Sequence, residues 1–241
     1  MSTADVVRET TIARALASAG SSESSGLYAL VRELVAQADA RGVVVDVGCG
    51  RGALYAGLQG LFSHYVGIDV VRHAGFPEAP DVTYVNASLD DGPAGLPEGI
   101  ADVLCCVETI EHVENPRLLV RCLSRLAKPG CRLIISTPNQ LSLLSKLCLV
   151  LKNEFVHFQE RPGCYPAHLS ALLECDLLRI AREAGWVDIS TQFSGEGRMP
   201  GTATRWPAWL ASRNGWRGRA FSDNVVLTAR TPSSPVTVRG T

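Results

Sequence analysis

The sequence predicts an α/β fold in which helices cover both faces of a doubly wound, mostly parallel sheet of seven strands. Strand-like and helix-like segments alternate along most of the chain, which is typical of parallel sheets. One strand candidate, residues 102–107, is apolar almost throughout, as expected of a strand buried on both faces. The length of 241 residues suits one domain or two small ones and is sufficient to bury a core.

The first 42 residues are predicted to form an N-terminal helical cap. Its second helix begins at Ser24 or Ser25, since either side chain can accept a hydrogen bond from a free backbone N–H group. Apolar residues then recur at helical spacing, namely Leu27, Leu30, Val31, Leu34, Val35 and Ala38. This pattern predicts one buried helical face, and the helix is expected to end at Gly42.

Residues 43–230 are predicted to form one sheet-based domain. Its strand candidates are residues 43–45, 65–69, 82–85, 102–107, 131–136, 186–191 and 224–229. Helices are predicted to begin at Ala53, to run from 116 to 126 with proline in the first turn, and to run from 176 to 184. The tail, residues 231–241, is rich in polar residues and proline and is predicted to be disordered.

Composition excludes several classes of protein. Lys and Arg total 23 against 24 Asp and Glu, so the overall basic charge typical of a nucleic-acid binder is missing. No apolar run approaches the roughly 18 residues that span a bilayer. The amino-terminal residues do not resemble a signal peptide, and the eight cysteines lack paired spacing. We therefore expect a cytoplasmic protein with reduced thiols.

A glycine-rich turn directly after the first strand candidate is the strongest motif. It reads DVGCGRG at residues 46–52, and a helix is predicted to follow. Where side chains are missing, backbone N–H groups can approach a ligand closely, and the helix adds its positive N-terminal end. Asp69 ends the second strand candidate, where a carboxylate can accept hydrogen bonds from both hydroxyls of a ribose. These residues predict a nucleotide site at the carboxyl end of the sheet.

Two classes of nucleotide cofactor fit this turn. Gly48, Gly50 and Ala53 also satisfy the dinucleotide pattern G-x-G-x-x-G/A, so an NAD(P)-dependent oxidoreductase is an alternative. That alternative lacks a recognisable Tyr-x-x-x-Lys or similar hydride-transfer pair. A non-catalytic scaffold of the same fold is a further alternative, although the glycines of the motif are intact.

Several motifs together resemble those of the class I S-adenosylmethionine-dependent methyltransferases. VVVDVGCGRG at residues 43–52 is similar to their first motif, and Asp69 is similar to their ribose-binding acid. EHV followed by Pro116, LAKPG at 126–130 and STPN at 136–139 resemble further family segments. The resemblance covers about residues 43–190. It implies a Rossmann-like methyltransferase fold and methyl transfer from S-adenosyl-L-methionine.

The resemblance implies cofactor contacts at Asp46, Gly48, Gly50, Asp69, Ser88 and Leu89. The two glycines would lie against the methionine portion of the cofactor, and Asp69 would hold the ribose. Asp46 would orient the loop and help to hold the methionine ammonium group. Ser88 and Leu89 would flank the adenine. Many relatives carry an acid at about position 88, and here Asp90 or backbone groups would replace that contact.

Candidate reacting groups directly follow the fourth strand candidate. On a helical turn Glu108 would lie beside Glu111 and His112, so two carboxylates and an imidazole would share one face. Methyl transfer requires an aligned nucleophile and removal of its proton, which a group with a near-neutral pKa assists. His112 and Glu111 are therefore the candidate catalytic residues.

The same segment supports two interpretations. In the first, Glu108, Glu111, His112 and a later histidine bind Mg²⁺ or Mn²⁺, which would lower the pKa of a substrate hydroxyl. The pattern E-x-x-E-H resembles that of the ubiquinone-biosynthesis O-methyltransferases and of the terminal-ribose methyltransferases of small RNAs, and the spacing in these relatives favours His168 over His157 as the fourth ligand. In the second, no metal binds and His112 acts as a base or an orienting group.

Two segments are expected to face the methyl acceptor. Residues from about 140 to 168 correspond to a substrate lid in relatives, and an apolar lid would fit a hydrophobic or lipid-linked acceptor. An insertion at about 195–223 contains Trp206, Trp209, Trp216, Arg198, Arg205, Arg213, Arg217 and Arg219. Such a patch could bind an anionic substrate, a membrane surface or RNA, or it could consist of packed indoles and solvated arginines.

The sequence thus predicts methyl transfer to an oxygen of a small molecule or of a glycan or lipid precursor. A metal-dependent RNA ribose 2′-O-methyltransferase is the alternative within the same family.

Overall fold

Seven strands form one sheet. They are β1 (Val43–Val47), β2 (His64–Asp69), β3 (Val82–Asn86), β4 (Ala101–Val107), β5 (Ala127–Pro138), β6 (Val187–Phe193) and β7 (Asn224–Arg230). Their order across the sheet is β3-β2-β1-β4-β5-β7-β6, and only β7 runs in the opposite direction to the other strands. The prediction of a mostly parallel, doubly wound sheet of seven strands is confirmed.

The computed structural model describes residues 3–18, 25–38, 41–88, 90, 92, 98–160, 164, 167–195, 197–202, 204–207, 209 and 219–233. Its helices are α1 (Thr3–Ser18), α2 (Ser25–Ala36), α3 (Ala53–Gly57), α4 (Pro116–Leu126), α5 (Leu143–Lys152) and α6 (Glu174–Glu183). A short 3₁₀ helix, Ile110–His112, lies between β4 and α4. Within the described residues, no helix combines the length and the apolar character needed to cross a membrane.

The central strands are buried on both faces, which explains their nearly continuous apolar sequence. In β4, Leu104 and Cys106 pack in the layer that contains α4 and α6. Val103 and Cys105 point the other way and pack in the layer that contains α2 and α3. Because successive side chains of a strand alternate between faces, one apolar run serves both layers. The protein is therefore a three-layer α/β structure, and α2 belongs to its core.

Local sequence signals set the start of α4. The Asn115 side chain accepts a hydrogen bond from the Leu118 N–H group at 2.9 Å, and Pro116 occupies the first turn. Apolar residues spaced along the helix, including Leu119 and Leu123, are fully buried against the sheet. The predicted span of this helix is confirmed.

The carboxyl ends of β1 and β4 form the edge at which the strand order reverses, since β1 pairs with β2 on one side and β4 on the other. Ligands of doubly wound sheets bind at this position. The opposite ends of these strands are closed by Asp102, which accepts hydrogen bonds from the Val43 N–H group at 2.7 Å and from Lys128 Nζ at 2.6 Å. We therefore look for the ligand site at the carboxyl ends of β1 and β4.

Two details bear on the sequence interpretation. The helix expected from Ala53 is short and ends at Gly57. All eight cysteines are free thiols, as predicted, and most of them are buried.

Candidate active site

The glycine turn between β1 and α3 is packed on one side and open on the other. The N–H groups of Gly48 and Cys49 donate to the Ile68 carbonyl at 2.8 and 3.2 Å, which fixes the turn on β2. Gly48 has a φ of +76°, and a Cβ atom there would lie 2.3 Å from the Thr109 side chain. A Cβ atom on Gly50 would meet no atom within 4 Å. The turn thus leaves space beside Gly50 that a ligand could fill.

Asp69 ends β2 beside this space. Its Oδ2 accepts the Gly50 N–H group at 2.9 Å, and its Oδ1 faces the Val71 N–H group at 3.4 Å. A carboxylate offers about four lone-pair positions, so these two contacts leave capacity for the hydroxyl groups of a ligand. The structure brings Asp69 and Gly50 together, as the interpretation of both as nucleotide contacts requires.

Asp46 is buried beneath the turn. Its Oδ2 accepts a hydrogen bond from the hydroxyl of Tyr65, which is itself fully buried. Burial raises the pKa of Asp46 to about 7, because a low-dielectric interior disfavours the charged carboxylate. Asp46 therefore braces β1 against β2, and one of its oxygens is directed into the core.

The predicted adenine contacts are only partly described. Ser88 is half-buried just beyond β3, and Leu89 lies outside the described residues. The Asp90 carboxylate, suggested as a replacement for the adenine-binding acid of relatives, is already used in the structure. Its Oδ1 accepts the N–H groups of Glu114 at 2.9 Å and Asn115 at 3.3 Å, so it fixes the entry to α4.

Beyond β4, three polar side chains converge. One ligand atom each from Glu111, His112 and His168 lies within 4.8 Å of the others, and the two imidazole rings are 4.8 Å apart. Glu111 is fully buried, and its Oε2 accepts the Thr137 hydroxyl at 3.0 Å. Its Oε1 has no hydrogen-bond partner among the described residues and lies 4.0 Å from His112 Nε2. We call these three residues the reacting cluster.

In both histidines of the reacting cluster, Nδ1 faces a backbone carbonyl, which leaves Nε2 as the candidate ligand atom. His112 Nδ1 lies 2.8 Å from the Ala167 carbonyl, and His168 Nδ1 lies 2.7 Å from the His157 carbonyl. Because a carbonyl oxygen can only accept, each Nδ1 must carry its proton, and each neutral ring keeps its lone pair on Nε2. His157 contributes its backbone to the cluster, which agrees with the choice of His168 as the more suitable ligand.

Burial controls the charges of the reacting cluster. It raises the pKa of Glu111 to about 8 and lowers the pKa of His112. Burial and the neighbouring His112 lower the pKa of His168 to about 4. Both imidazoles are therefore neutral at neutral pH. The pKa of Glu111 lies about one unit above neutral pH, so its carboxyl group can gain or lose a proton there.

Glu108 does not share the face of Glu111 and His112, and the expectation of a helical turn through all three residues was wrong. Its φ is +50°, outside the helical region, and the 3₁₀ helix begins only at Ile110. The Glu108 carboxylate accepts the Ser136 hydroxyl at 2.9 Å and the Asn224 side-chain amide at 2.8 Å. Each of its oxygens thus has a partner on β5 or β7, and Glu108 is not among the residues whose ligand atoms converge.

Sequence reasoning missed the polar residues that support the site from β5 and β7. Ser136, Thr137 and Asn224 lie at the carboxyl end of β5 or at the start of β7, and all three are buried. Gln140, just beyond β5, is also buried, and its Oε1 lacks a hydrogen-bond partner among the described residues. The sequence does show polar residues next to apolar strand segments. It does not show which of these residues contact each other across the strands.

The predicted lid contains α5, whose outer face is apolar. Val150 and Leu151 are each 79% exposed, and Leu147 and Leu149 are also exposed. In the insertion, Trp206 packs on Phe221 with ring centroids 4.6 Å apart. Arg198 pairs with Asp223 at 3.3 Å, and Arg219 pairs with Glu174 at 2.5 Å. The insertion's remaining predicted residues Arg213, Trp216 and Arg217 lie outside the described residues, as does the tail from 234.

Known proteins are similar to this chain in sequence and in fold. The methyltransferase-domain family matches residues 22–212. The ubiquinone biosynthesis O-methyltransferase of Thiobacillus denitrificans is 34% identical over 149 residues, which cover 59% of this chain and 63% of that protein. The enzyme of the same name from Cronobacter sakazakii is 30% identical over 152 residues, or 60% and 59% of the two chains. The match thus spans about three-fifths of these relatives.

Solved structures of methyltransferases show the same fold. A S-adenosylmethionine-dependent methyltransferase from Archaeoglobus fulgidus superposes with a TM-score of 0.59 at 19% identity, covering 85% of this chain and 92% of the other. The 1,6-didemethyltoxoflavin-N1-methyltransferase of Burkholderia thailandensis gives 0.61 at 18% identity, covering 95% and 88%. With the glycine turn, Asp69 and the family match, the chain belongs to the methyltransferase-domain family, within its class I S-adenosylmethionine-dependent group.

Proposed function

We propose that this chain transfers the methyl group of S-adenosyl-L-methionine to an oxygen atom of a small, largely apolar molecule or of a glycan- or lipid-linked precursor. The observation that carries the proposal is the reacting cluster, in which a buried carboxyl oxygen of Glu111 lacks a hydrogen-bond partner among the described residues and two imidazoles converge with it. The cluster follows β4, beside the strand whose carboxyl end carries the glycine turn. Family membership removes the oxidoreductase alternative.

The cofactor would lie along the carboxyl ends of β1 and β2. The open space beside Gly50 and the unused lone pairs of Asp69 support a nucleoside with its ribose against Asp69. Gly48 would lie beneath the methionine portion, and its lack of a side chain is already required by Thr109. Asp46 would act mainly through the loop, because Tyr65 occupies one of its oxygens.

The reacting cluster would accept the proton of the acceptor hydroxyl. His112 is neutral and presents Nε2, and the pKa of Glu111, about 8, is close to neutral pH. Groups with such pKa values are suited to general acid–base catalysis. Alignment of the hydroxyl oxygen with the methyl group supplies a further part of the rate, since positioning alone contributes several kcal/mol.

The reacting cluster also fits a divalent metal ion. Glu111 Oε1, His112 Nε2 and His168 Nε2 would hold it, and Glu108 is left out of the set because its ligand atoms do not converge with these three, being held by Ser136 and Asn224. Two nitrogens and one oxygen suit Mn²⁺ better than Mg²⁺, which prefers oxygen ligands. When bound, such an ion would lower the pKa of the acceptor hydroxyl.

Two observations support an oxygen acceptor with an apolar part. The relatives from Thiobacillus denitrificans and Cronobacter sakazakii are named O-methyltransferases of ubiquinone biosynthesis. The exposed apolar face of α5 lies in the segment that would cover the acceptor. An RNA acceptor has less support, since Arg198 and Arg219 already pair with Asp223 and Glu174.

The cofactor part is tested by calorimetric titration of the chain with S-adenosylhomocysteine, the product of methyl transfer. We expect saturable one-site binding in the micromolar range. The absence of heat at high micromolar concentrations of both components would remove the proposal. Incubation with labelled S-adenosylmethionine and a panel of hydroxylated acceptors, with and without a lipid tail and including a short RNA, then identifies the acceptor class.

The metal part needs a separate measurement. Chelator should abolish turnover with the acceptor found in that panel, and Mn²⁺ should restore it. His112→Gln should lower turnover by about 100-fold or more, within the range for the loss of a proton-transfer group. His64→Gln is the matched control, since His64 is half-buried at the opposite end of β2 and bonds only Thr83 among the described side chains. Full turnover in the presence of chelator would show that no metal ion is required, and proton transfer would then depend on His112 and Glu111 without a metal.

A further inference from the structure

Glu108 holds a backbone conformation that glutamate rarely adopts. It follows β4 directly, and its φ of +50° lies in the left-handed region. For a residue with a side chain this conformation costs about 1–2 kcal/mol. Such strain persists only where the surroundings fix the residue from several sides, and it concentrates at functional sites.

Hydrogen bonds from two other strands fix Glu108. Its N–H group donates to the carbonyl of Ser136 at 3.2 Å and to Ser136 Oγ at 3.0 Å. Ser136 Oγ donates back to Oε1 at 2.9 Å, and Asn224 Nδ2 donates to Oε2 at 2.8 Å. One residue therefore joins the ends of β4, β5 and β7, and all of these partners are buried.

The backbone of Glu108 also acts on the reacting cluster. Burial lowers the pKa of the His112 imidazole, and the backbone carbonyls of Ala167 and Glu108 act in the opposite direction and raise it. The His112 N–H group donates to the Thr109 carbonyl at 2.9 Å, which closes the turn. The Glu111 carbonyl accepts the N–H groups of Leu169 and Ser170 at 2.8 and 3.0 Å, next to His168. A change of backbone at Glu108 would redirect this whole segment.

We propose that Glu108 and Asn224 are positioning residues, which hold the strained turn after β4 and thereby aim the Glu111 carboxylate and the His112 imidazole. The proposal rests on the proposed function. It adds that the reacting cluster depends on β7, the strand that begins with Asn224. Neither residue touches the acceptor or the metal in this assignment. Asn224 acts through Glu108, and Glu108 acts through its backbone.

Two substitutions in the full chain separate positioning from ligation. Asn224→Ala removes the donor to Oε2. Glu108→Gln keeps the geometry, because a glutamine oxygen can accept the Asn224 amide while its nitrogen donates to Ser136 Oγ. Thr228→Ala is the stability control, since Thr228 is buried on β7 and bonds Ser190 of β6 at 2.9 Å, away from Glu108.

The main measurement is the long-range ¹H–¹⁵N NMR spectrum of the imidazoles, which needs neither metal nor acceptor. We expect Asn224→Ala to move the His112 ring signals, and Glu108→Gln and Thr228→Ala to leave them in place. In calorimetry, Asn224→Ala should weaken Mn²⁺ binding about tenfold or more, as supporting residues of metal sites do. Its affinity for S-adenosylhomocysteine should stay within about twofold of the native value.

Several results would overturn the proposal. Native His112 signals in Asn224→Ala would show that the turn does not depend on Asn224. A loss of Mn²⁺ binding in Glu108→Gln equal to that in Glu111→Gln would make Glu108 a ligand. Equal changes of the His112 signals and of Mn²⁺ affinity in Thr228→Ala and Asn224→Ala would show that both variants act through the overall stability of the fold. If the native chain binds neither S-adenosylhomocysteine nor Mn²⁺, the proposed function fails, and the His112 signals still decide the positioning role.

Discussion

The cofactor end and the reacting end of the site lie on the same edge of the sheet but are built differently. At the cofactor end, the turn after β1 and the acid at the end of β2 come from residues 46–69, and much of the surface is backbone. At the reacting end, side chains from β4, β5, β7 and the segment before α6 meet across long sequence separations. One end therefore depends on the absence of side chains, and the other depends on their cross-strand contacts.

The sharpest test of this difference is at the glycines. Gly48→Ala should destabilise the fold by about 3–4 kcal/mol, because its Cβ atom would overlap Thr109 in a left-handed backbone. Gly60→Ala, with a φ of +81° and no atom within 4 Å, should cost only about 1–2 kcal/mol of strain. Urea unfolding measures both free energies.

Gly50→Ala is the matched variant that separates folding from binding. Its φ is +50° and no atom lies within 4 Å, so its stability should resemble that of Gly60→Ala. Its affinity for S-adenosylhomocysteine should nevertheless fall by about 100-fold, because the new methyl group enters the space left for the ligand. Native affinity in this variant would place the cofactor elsewhere.

Asp46 is the more deeply buried of the two acids at the cofactor end. Its pKa is about 7 in the folded chain against 3.8 for an unburied aspartate. The folded state therefore binds more protons between these values, and stability should fall as pH rises from about 4 to about 7. Asp46→Asn should remove this loss, on the order of 2–4 kcal/mol at pH 8, and change little at pH 4.

The control for Asp46 is Asp81→Asn. Asp81 accepts the Tyr55 hydroxyl at 3.3 Å but is only half-buried, so it reproduces the aspartate–tyrosine pair without the deep burial. Thermal unfolding of both variants at pH 4 and pH 8 measures the effect, and Asp81→Asn shows what the loss of an aspartate–tyrosine hydrogen bond costs without deep burial. A flat native profile between pH 4 and 8 would contradict the assignment of the pH dependence to Asp46.

Asp69 tests the charge at the cofactor end. Asp69→Ala removes the acceptor of the Gly50 N–H group and the proposed contact to the ribose. Hydrogen bonds to charged groups contribute about 1.5–3 kcal/mol, so we expect affinity for S-adenosylhomocysteine to fall by about 30-fold. Affinity for a methionine fragment should change less, and an equal change for both would show that Asp69 only orders the loop.

Thr137 tests the reacting end with the smallest change. Thr137→Val removes the hydroxyl that donates to Glu111 Oε2 at 3.0 Å. The loss of one hydrogen bond of about 1 kcal/mol should weaken Mn²⁺ binding by about fivefold and leave cofactor binding unchanged. Calorimetry with each ligand measures this, and an effect on the cofactor alone would reverse the assignment of the two ends.

The same difference explains what the sequence could predict. The strand and helix segments, the glycine turn and Asp69 follow from local patterns, since each feature is set by residues close together in the chain. Glu111, His112 and His168 were found because their spacing matched relatives. The position of Glu108 could not be found in this way, because it depends on Ser136 and Asn224, which are 28 and 116 residues further along the chain.

The placement of Asn224 has a consequence for how the protein becomes active. The strand that carries it is synthesised last, yet it inserts between β5 and β6 rather than at an edge. The pairing of β7 with β5 must bring together residues that are far apart in the chain, and such pairing is a slow step in folding. A nascent chain could therefore complete its nucleotide pocket while Glu108 still lacks its amide donor, so competence for chemistry should appear later than ligand binding during refolding.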